Sequence, residues 1–397
     1  MVRTKYLIVG GGMTADAAVE GIRELDGQGA ILVLSAESDP PYTRPMLSKG
    51  LWFGKPFEKI WRRTESKGAE VRLGRRAIRL DPAARRVVDD SGEAYDYEAL
   101  LLATGGKVRR LPFGGDDVIY FRTLADYRRL RELADRGGHL IVIGAGFIGS
   151  EIAAALAGAG MSVTVVFAEA ALAERIFPRD LAEHVSFYYQ EKGVTLRPRA
   201  SVLDVRRRDG RIATQVRLAS GATEWIVGDG VVAGIGIQPD TALAEAAGLR
   251  CDNGIVVDEL LRTSAPAIYA AGDAAAFPSA ALGRRVRVEH EDNALTMGRQ
   301  AGRNMAGAGE PYRHLPYFYS DLFELGYEAV GDLDSRLPTF ADWAEPYRKG
   351  VVYYLEGARV RGVLLWNVWD RVPAARQLIA ASQPVAPRDL RGRIAAT

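Results

Sequence analysis

The chain has 397 residues, which is enough for two or three domains with separate hydrophobic cores. Apolar residues make up 48% and charged residues 26%, as in ordinary globular proteins, and no apolar run approaches the roughly 20 residues of a membrane-spanning helix. The 52 Lys and Arg residues against 50 Asp and Glu residues leave a formal net charge of only +2, which argues against a dedicated nucleic-acid-binding protein.

Cysteine and histidine usage narrows the chemistry further. Cys251 is the single cysteine, so no internal disulfide can form and nothing indicates an oxidising compartment. The four histidines show no metal-ligand spacing, and we predict no metal site. The first predicted strand begins within a few residues of Met1, which leaves no room for a signal or transit peptide. We therefore expect a cytoplasmic protein.

The N-terminal part of the chain reads strand, tight turn, helix and strand. The apolar strand 6–9 runs into Gly10-Gly-Gly-Met-Thr-Ala15, and a helix follows through about residue 25. Here Gly10 permits a tight bend, Gly12 lets the backbone approach a phosphate, and Ala15 allows close helix–strand packing. The next strand ends near Glu37, which can accept hydrogen bonds from a ribose diol. This order of elements predicts a dinucleotide-binding site at the start of the helix.

A proline-rich segment follows this first unit. In Asp39-Pro-Pro-Tyr-Thr-Arg-Pro-Met-Leu-Ser-Lys49 the prolines exclude a regular helix or a central strand, so we expect an ordered loop or a short helix start. Three short strands that fit a small antiparallel layer are predicted around 71–73, 77–80 and 86–88. A buried strand then ends at Thr104-Gly105.

The second predicted unit repeats the plan of the first. Strand 139–143 runs into Gly144-Ala-Gly-Phe-Ile-Gly149, a helix and another strand follow, and Glu169 lies beyond them. An acid at this place repels the 2′-phosphate of NADP, so NADH is favoured over NADPH, although Arg175 is close enough to weaken the preference. Two dinucleotide folds in one chain suit hydride transfer between a nicotinamide and a flavin.

The next predicted elements complete the second unit, and the elements after them belong again to the first unit. A helix is predicted from about residue 179 to 192, with strands at 195–196, 201–207, 212–218, 223–227 and 228–236. Further strands are predicted at 255–258 and 267–271, and the latter ends in Ala271-Gly-Asp273. An Asp at a strand's C-terminal end can hold the ribitol chain of a flavin. A helix N-cap is the alternative interpretation of Asp273.

The C-terminal region is dense in aromatic residues. An Ala- and Gly-rich helix (292–306), a β-hairpin (351–355 with 360–366) and a closing helix (372–381) are predicted there. Its tryptophans could form core, cover a flavin or form a dimer face, and core is favoured for most of them. The tryptophans concerned are Trp343, Trp366 and Trp369.

Several motifs carry a resemblance to a known family. They are Pro41-Tyr-Thr-Arg-Pro-Met-Leu-Ser-Lys49, in which Met46 replaces a family proline, and the segments 144–151, 287–290, 319–321 and 349–371. On these motifs the chain resembles the FAD/NAD-dependent pyridine nucleotide reductases of the ferredoxin reductase-like superfamily, and within them the apoptosis-inducing-factor-like flavoproteins. The resemblance covers nearly the whole chain, and the C-terminal motifs are its most specific part.

The resemblance implies roles for particular residues. Lys49 would pair with Glu151 beside the flavin's reactive nitrogen, and His290 would lie by the isoalloxazine, so these three are the catalytic candidates. Tyr319 takes a position where apoptosis-inducing factor has a tryptophan stacked near the flavin. Electrostatics supports a catalytic role for Lys49, because hydride transfer makes an anionic reduced flavin that needs a nearby cation. The alternative interpretation of Lys49 is a surface lysine in a proline-rich loop. The alternative interpretation of Glu151 is an acid that is favoured at a helix start whether or not it has a catalytic role.

Motifs and resemblance together predict two sets of cofactor contacts. The predicted FAD contacts are Gly10, Gly12, Met13, Thr14, Ala15, Ala36, Glu37, Arg44, Lys49, Thr104, Gly105, Asp273, His290 and Tyr319. The predicted NAD contacts are Gly144, Gly146, Phe147, Ile148, Gly149, Glu151, Glu169, Arg175, Gly236, Glu289, Glu328 and Asn367.

The chain also departs from its relatives. The long C-terminal insertion, targeting segment and death-related tail of the mitochondrial protein are absent, which puts import, DNA binding and apoptosis in doubt. Disulfide reductases of this fold need a cysteine pair beside the flavin, and this chain has none. Electrons must therefore pass from the flavin directly to an outside acceptor.

These observations predict an α/β fold with two Rossmann-like dinucleotide-binding domains (FAD and NAD) and a C-terminal α+β domain. The predicted boundaries are 1–112 and 239–315 for FAD, 113–238 for NAD, and 316–397 for the C-terminal domain.

The predicted function is an FAD-dependent NADH oxidoreductase without a redox disulfide. The sequence does not identify the electron acceptor. The candidates are a small acidic iron–sulfur protein, a quinone, another small oxidant and dioxygen, which would be reduced only slowly. An acidic iron–sulfur protein could bind an arginine-rich surface of the C-terminal region. The alternative explanation is that these arginines form a solvated charged face. The arginines are Arg359, Arg361, Arg371 and Arg376.

Two other classes of function remain open. One is an NADH-sensing flavoprotein with a long-lived reduced flavin–NAD complex, changed dimerisation and slow turnover, which the resemblance to apoptosis-inducing factor implies. The other is a redox-inactive scaffold with a nucleic-acid surface, against which the near-neutral charge argues. A homodimer is also possible.

Overall fold

The computed structural model describes residues 1–381 and 383–395. The chain divides into two compact units, each made of three segments. Unit 1 contains residues 1–44, 57–107 and 238–318, and unit 2 contains residues 45–56, 108–237 and those from 319 onward. Unit 2 thus combines most of the predicted NAD-binding domain with C-terminal residues, and the finer four-segment division stays a prediction.

The α-helices are α1 (Met13–Arg23), α2 (Leu124–Arg136), α3 (Phe147–Gly158), α4 (Arg179–Glu191), α5 (Ala242–Ala246), α6 (Glu291–Met305) and α7 (Val372–Ala380). Helices α1, α3, α4, α6 and α7 lie close to their predicted places, whereas α2 and α5 are not among the predicted helices. Single turns of 3-10 helix occur at Arg44–Leu47, Gly50–Phe53, Phe57–Ile60, Thr64–Lys67, Gly115–Asp117, Gly272–Ala274 and Pro387–Leu390. In the described residues, no helix is both long enough and apolar enough to cross a membrane.

The main sheet of unit 1 is parallel at its centre. Its strand order is Glu70–Arg72, Ile31–Leu34, Val2–Val9, Ala94–Leu102, Arg86–Asp89 and Ala77–Asp81, and Ile268–Ala270 pairs with Ala94–Leu102. The central strands are fully buried at Leu7, Val33 and Leu101, as their continuous apolar runs predict. A smaller sheet contains Ile255–Val256, Ala275–Ser279 and Arg284–Val286.

The predicted separate antiparallel layer is partly wrong. Ala77–Asp81 and Arg86–Asp89 do pair antiparallel, and the latter pairs antiparallel with Ala94–Leu102. Glu70–Arg72, however, pairs parallel with Ile31–Leu34, so it extends the main sheet. A strand of three residues carries too little pattern to indicate its direction or its neighbour.

Helices α1 and α6 pack backbone against backbone in unit 1. A Cβ at Gly302 would lie 2.1 Å from the carbonyl oxygen of Ala18, and one at Gly298 would lie 2.3 Å from that of Thr14. Only glycine permits this approach, which explains the glycine-rich composition of α6. The packing fixes α1, and so the dinucleotide turn that precedes it.

The described residues of unit 2 form a parallel sheet, an antiparallel sheet and a C-terminal sheet. The parallel sheet has the order Thr195–Arg197, Ser162–Val166, His139–Ile143, Gly230–Ala233 and Val118–Tyr120. A three-stranded antiparallel sheet contains Ser201–Arg208, Arg211–Arg217 and Thr223–Gly228. The C-terminal sheet has the order Tyr317–Leu322, Leu325–Gly331, Arg359–Trp366, Lys349–Glu356 and Thr339–Glu345. Strands Gly106–Val108 and Ile237–Pro239 lie where the chain crosses between the units.

The C-terminal sheet has the predicted hairpin at its centre. Strands Lys349–Glu356 and Arg359–Trp366 pair antiparallel. Trp366 is fully buried and stacks on Tyr327, with ring centroids 5.9 Å apart, whereas Trp369 is 46% exposed. Core packing, which the sequence favours for most of the tryptophans, is therefore observed for Trp366, while Trp369 is one that lies outside the core.

Candidate functional site

The glycine turn of unit 1 leaves an open helix N-terminus. Gly10 has φ +115°, and a Cβ there would lie 2.1 Å from the carbonyl oxygen of Ala103, so only glycine fits. Gly12 is the N-cap of α1 and makes no side-chain cap, and a Cβ built on it meets no protein atom within 4 Å. The start of α1 therefore has room beside Gly12, which fits the pyrophosphate of FAD.

Two further predicted FAD contacts lie against this turn. A Cβ on Gly272 would be 2.3 Å from the hydroxyl of Thr14, so the turn that carries Asp273 packs directly on the start of α1. Asp273 lies inside the short Gly272–Ala274 turn, whose N-cap is Ala271. The N-cap interpretation of Asp273 is therefore wrong, and the ribitol interpretation stays a prediction.

Glu37 lies in a polar cluster after the second strand. Its Oε1 accepts from Arg44 Nη2 at 2.8 Å, and its Oε2 accepts from the Tyr42 hydroxyl at 2.6 Å. Arg44 also donates from Nη1 to the Tyr42 hydroxyl at 2.9 Å. Arg44 and Glu37 are thus brought together as a preformed group, with Tyr42 as a member that the sequence did not single out, while Ala36 is exposed.

Other predicted contacts in unit 1 have partners of their own. The Thr104 hydroxyl donates to the carbonyl of Asp240 at 2.6 Å, and Gly105 accepts from the Asp240 amide at 2.9 Å. His290 stacks on Phe318, with ring centroids 4.2 Å apart and planes 19° from parallel. Glu289 pairs with Arg287 at 2.5 Å between Oε1 and Nη1.

The glycine turn of unit 2 has the same open geometry. Gly144 has φ +103°, and a Cβ on Gly149 would lie 2.0 Å from the Gly144 carbonyl oxygen. Gly146 is the uncapped N-cap of α3, and a Cβ there would meet nothing within 4 Å. Phe147 and Ile148 open the helix, and Ile148 is 39% exposed. This turn fits a second pyrophosphate.

The acid of unit 2 is paired with a cation. Glu169 Oε1 lies 2.7 Å from Arg175 Nη2, whose side chain is 84% exposed. The loop between them is fixed at both ends, because the amide of Arg199 donates to Glu169 O at 2.9 Å and the amide of Ser335 donates to Arg175 O at 3.1 Å. The ordered loop keeps Glu169 and Arg175 close together.

A buried ionic group lies at the start of α3. The Lys49 ammonium contacts the Glu151 carboxylate, the pairing that the family resemblance implied, and the two side chains are only 13% and 4% exposed. Glu151 also accepts from the Ser48 hydroxyl at 2.7 Å and from the Ser320 hydroxyl at 2.6 Å. The Lys49 ammonium lies 5.1 Å from the centroid of the Tyr319 ring, within cation–π range.

A further carboxyl group belongs to this neighbourhood. Burial raises the pKa of Asp321 above its ordinary value, while the charge of Lys49 opposes the rise and that of Glu151 adds to it. Burial also raises the pKa of Tyr189 and Tyr327 well above 10, so both phenols stay neutral hydrogen-bond donors. The Glu151 carboxylate is met by the Lys49 ammonium and by the hydroxyls of Ser48 and Ser320.

The predicted NAD contacts Glu328 and Asn367 differ in the hydrogen bonds that their side chains make within the protein. Glu328 Oε2 is buried and has no hydrogen-bond partner among the described residues, and burial raises its pKa, with the nearby charge of Asp370 adding to the rise. Such an atom fits a polar ligand. Asn367 instead uses its amide in the protein, donating to Arg348 O at 2.8 Å and accepting from the amide of Gly326 at 2.7 Å. Gly236 accepts from the amide of Arg109 at 3.0 Å.

The sequence did not single out the residues that hold the predicted site residues in place. These are Tyr42, Ser48, Phe318 and Ser320. Each lies one or two residues from a predicted site residue, and that adjacency was the available signal. No group of three or more His, Cys, Asp or Glu side chains that could hold a metal occurs in residues 1–381 or 383–395.

Two family models match the chain. Residues 4–298 match the model described as pyridine nucleotide-disulphide oxidoreductase. Residues 301–346 and 342–381 match the model described as apoptosis-inducing factor, mitochondrion-associated, C-term.

Individual relatives agree with these matches. The chain is 34% identical to the anthranilate 1,2-dioxygenase system ferredoxin–NAD(+) reductase component of Burkholderia cepacia, over 97% of this chain and 96% of the relative. It is 32% identical to apoptosis-inducing factor 1 of Dictyostelium discoideum, over 94% of this chain and 78% of the relative. It spans 63% of the length of a Drosophila melanogaster protein named for the same factor. The reductase in the covalent putidaredoxin reductase–putidaredoxin complex superposes with a TM-score of 0.89 at 30% identity, covering 98% of this chain and 95% of that one.

Proposed function

Since this chain belongs to the pyridine nucleotide-disulphide oxidoreductase family, we propose that it is an FAD-dependent NADH oxidoreductase that passes electrons to an external acceptor. Membership confirms the resemblance drawn from the motifs. It also confirms the predicted fold class, with FAD and NAD domains and a C-terminal sheet domain. The chain is a flavoprotein oxidoreductase of the ferredoxin reductase-like type that uses FAD and a pyridine nucleotide. We further propose that the coenzyme is NADH, that the predicted site residues bind the two dinucleotides, and that the electron acceptor is of the kind described below.

The observation that carries the proposal is the pair of open helix N-termini, one in each unit. Gly12 of unit 1 would receive the pyrophosphate of FAD, and Gly146 of unit 2 that of NADH. Bound FAD supplies the hydride-accepting chemistry. Lys49 would stabilise the negative charge that the flavin ring gains on reduction, Glu151 would hold that ammonium, and His290 would lie beside the ring. The remaining predicted contacts bind and orient the two dinucleotides.

We infer that the acceptor is a small iron–sulfur protein. Two similar proteins carry this chemistry in their names, the ferredoxin–NAD(+) reductase component and the putidaredoxin reductase bound to putidaredoxin. With Cys251 as the single cysteine, an internal redox disulfide has no place in the route. A cytoplasmic location and a homodimer are part of the same proposal.

Anaerobic mixing of the purified holoprotein with NADH tests this function. We expect rapid bleaching of the flavin absorbance and rapid reoxidation when an iron–sulfur carrier protein is added. A quinone serves as the control oxidant. Absence of bleaching, in protein that retains FAD, would contradict the oxidoreductase proposal and favour the scaffold.

A second candidate function is NADH sensing, favoured by the match of residues 301–381 to the C-terminal region of apoptosis-inducing factor. In the same experiment the sensor would bleach quickly but reoxidise slowly. It would also show a persistent long-wavelength band and a change in oligomer size, measured by light scattering.

Replacing Glu169 with glutamine is expected to narrow the preference for NADH over NADPH by about tenfold, because one negative charge no longer opposes the 2′-phosphate. The ratio of kcat/KM for the two coenzymes measures the effect. Glu183→Gln is the matched control, since Glu183 is an exposed acid of α4 that pairs with Arg179 at 2.8 Å. A wild-type protein that already prefers NADPH would overturn this role of Glu169.

A further inference from the structure

The Glu151 carboxylate joins three distant parts of unit 2. It lies on α3, it contacts Ser48 and Lys49 of the proline-rich segment, and it accepts from Ser320 of the C-terminal sheet. Lys49 and Ser320 both donate to Oε1, and Ser48 donates to Oε2. A carboxylate that is 4% exposed needs such donors, because burial otherwise disfavours its charge.

Ser320 gives its hydroxyl proton to Glu151 and is shielded from solvent. It is 1% exposed, and its Oγ lies 2.6 Å from Glu151 Oε1. A serine hydroxyl has one proton, so the Ser320 proton is committed to this carboxylate. Removing the hydroxyl therefore takes one donor from Oε1 and leaves the donation of Lys49 to that oxygen in place.

The backbone beside Glu151 is held separately. The hydroxyl of Tyr189 donates to the carbonyl of Ser150 at 3.0 Å. The Tyr189 ring packs edge-on against Phe323, with centroids 5.1 Å apart, and Phe323 forms the turn after the strand of Ser320. With α3 fixed in this way, the orientation of the Glu151 carboxylate depends on the groups that donate to it.

We propose that Ser320 is a positioning residue that limits how strongly Glu151 holds the Lys49 ammonium. Its donation to Oε1 competes with that of Lys49 for the same oxygen. Without it, Oε1 would hold the ammonium more tightly, and less of the positive charge would be available to the reduced flavin. The inference rests on the proposed function, because it acts through Lys49 on bound FAD.

The test measures the midpoint potential of FAD in the holoprotein and the rate of its reduction by NADH. Ser320→Ala is expected to lower the potential by about 30 mV, which is a tenfold change for a two-electron couple. Reduction at saturating NADH should slow about tenfold, the order expected for one hydrogen bond to a charged group, with the half-saturating NADH concentration unchanged. Ser320→Thr, which keeps the hydroxyl, should restore both values to within about twofold of wild type.

Two further variants separate this role from a structural one. Ser320→Cys replaces the hydroxyl with a weaker donor of similar size and should shift the potential in the same direction by a smaller amount. It also decides the matter if Ser320→Ala does not fold. Thr214→Val is the matched control, because Thr214 is fully buried in unit 2 and its hydroxyl has no partner within the described chain. It should change neither quantity.

The outcomes distinguish the inference from the function on which it rests. A wild-type protein that retains no FAD, or is not reduced by NADH, contradicts the proposed function itself. A protein that is reduced normally, and whose potential is the same in Ser320→Ala as in wild type, overturns only the role of Ser320. A raised potential in Ser320→Ala would also overturn it, since the Lys49 ammonium would then be held less tightly and not more tightly.

Discussion

Replacing Gly12 with alanine is expected to leave the protein folded and to remove most of its capacity to retain FAD. Gly12 has φ −93°, which alanine adopts readily, and its Cβ would meet no protein atom within 4 Å. The same Cβ would stand where the first amides of α1 point, and would keep a pyrophosphate from approaching them. Losing a hydrogen bond to a charged group costs about 1.5–3 kcal/mol, or about tenfold to a hundredfold in affinity.

The measurement is the FAD content of purified protein and the dissociation constant of FAD for the apoprotein. Gly146→Ala is the matched control in unit 2, where a Cβ is equally free of protein contacts. It should keep FAD and raise the KM for NADH. Gly10→Ala provides the opposite case, because its Cβ would clash with Ala103 and the fold itself should suffer. Full FAD retention by Gly12→Ala would contradict the assignment of the pyrophosphate to α1.

The elements of the fold could be predicted from the sequence where local pattern decides structure. The two glycine turns follow continuous apolar strands, and their N-caps, Gly12 and Gly146, begin α1 and α3. The direction of Glu70–Arg72 could not be predicted, because its pairing with Ile31–Leu34 is decided by tertiary contacts and not by the local sequence. The placement of residues 45–56 in unit 2 is of the same kind, since it depends on contacts with groups about a hundred residues away.

The candidate site was predictable only in part for the same reason. The sequence pointed to Lys49 and Glu151 through a family motif, and the structure brings them together. The same motifs contain Ser48 and Ser320 but indicate no role for them, because serine is common and its role depends on which group it meets. Ser320 lies 169 residues from Glu151 in sequence, so the contact exists only once the C-terminal sheet has formed.

Replacing Lys49 with methionine is expected to have the largest effect on stability. The substitution keeps the length of the side chain and leaves the Glu151 carboxylate, which is 4% exposed, without its cation. Breaking a buried ion pair by removing one partner typically costs about 3–5 kcal/mol. Thermal unfolding of the apoprotein measures this loss without a contribution from bound FAD. The flavin potential of the holoprotein should fall as well, because the cation that favours the reduced ring is gone.

A double variant separates the structural from the chemical role of the pair. Lys49→Met combined with Glu151→Gln removes both charges, and Ser48 and Ser320 can still bond to the amide. Most of the stability should return, because no uncompensated buried charge remains. The rate of flavin reduction by NADH should not return, because neither the ammonium nor the group that holds it is present. If Lys49→Met changes neither FAD retention nor potential, Lys49 does not belong to the flavin site and its pairing with Glu151 is purely structural.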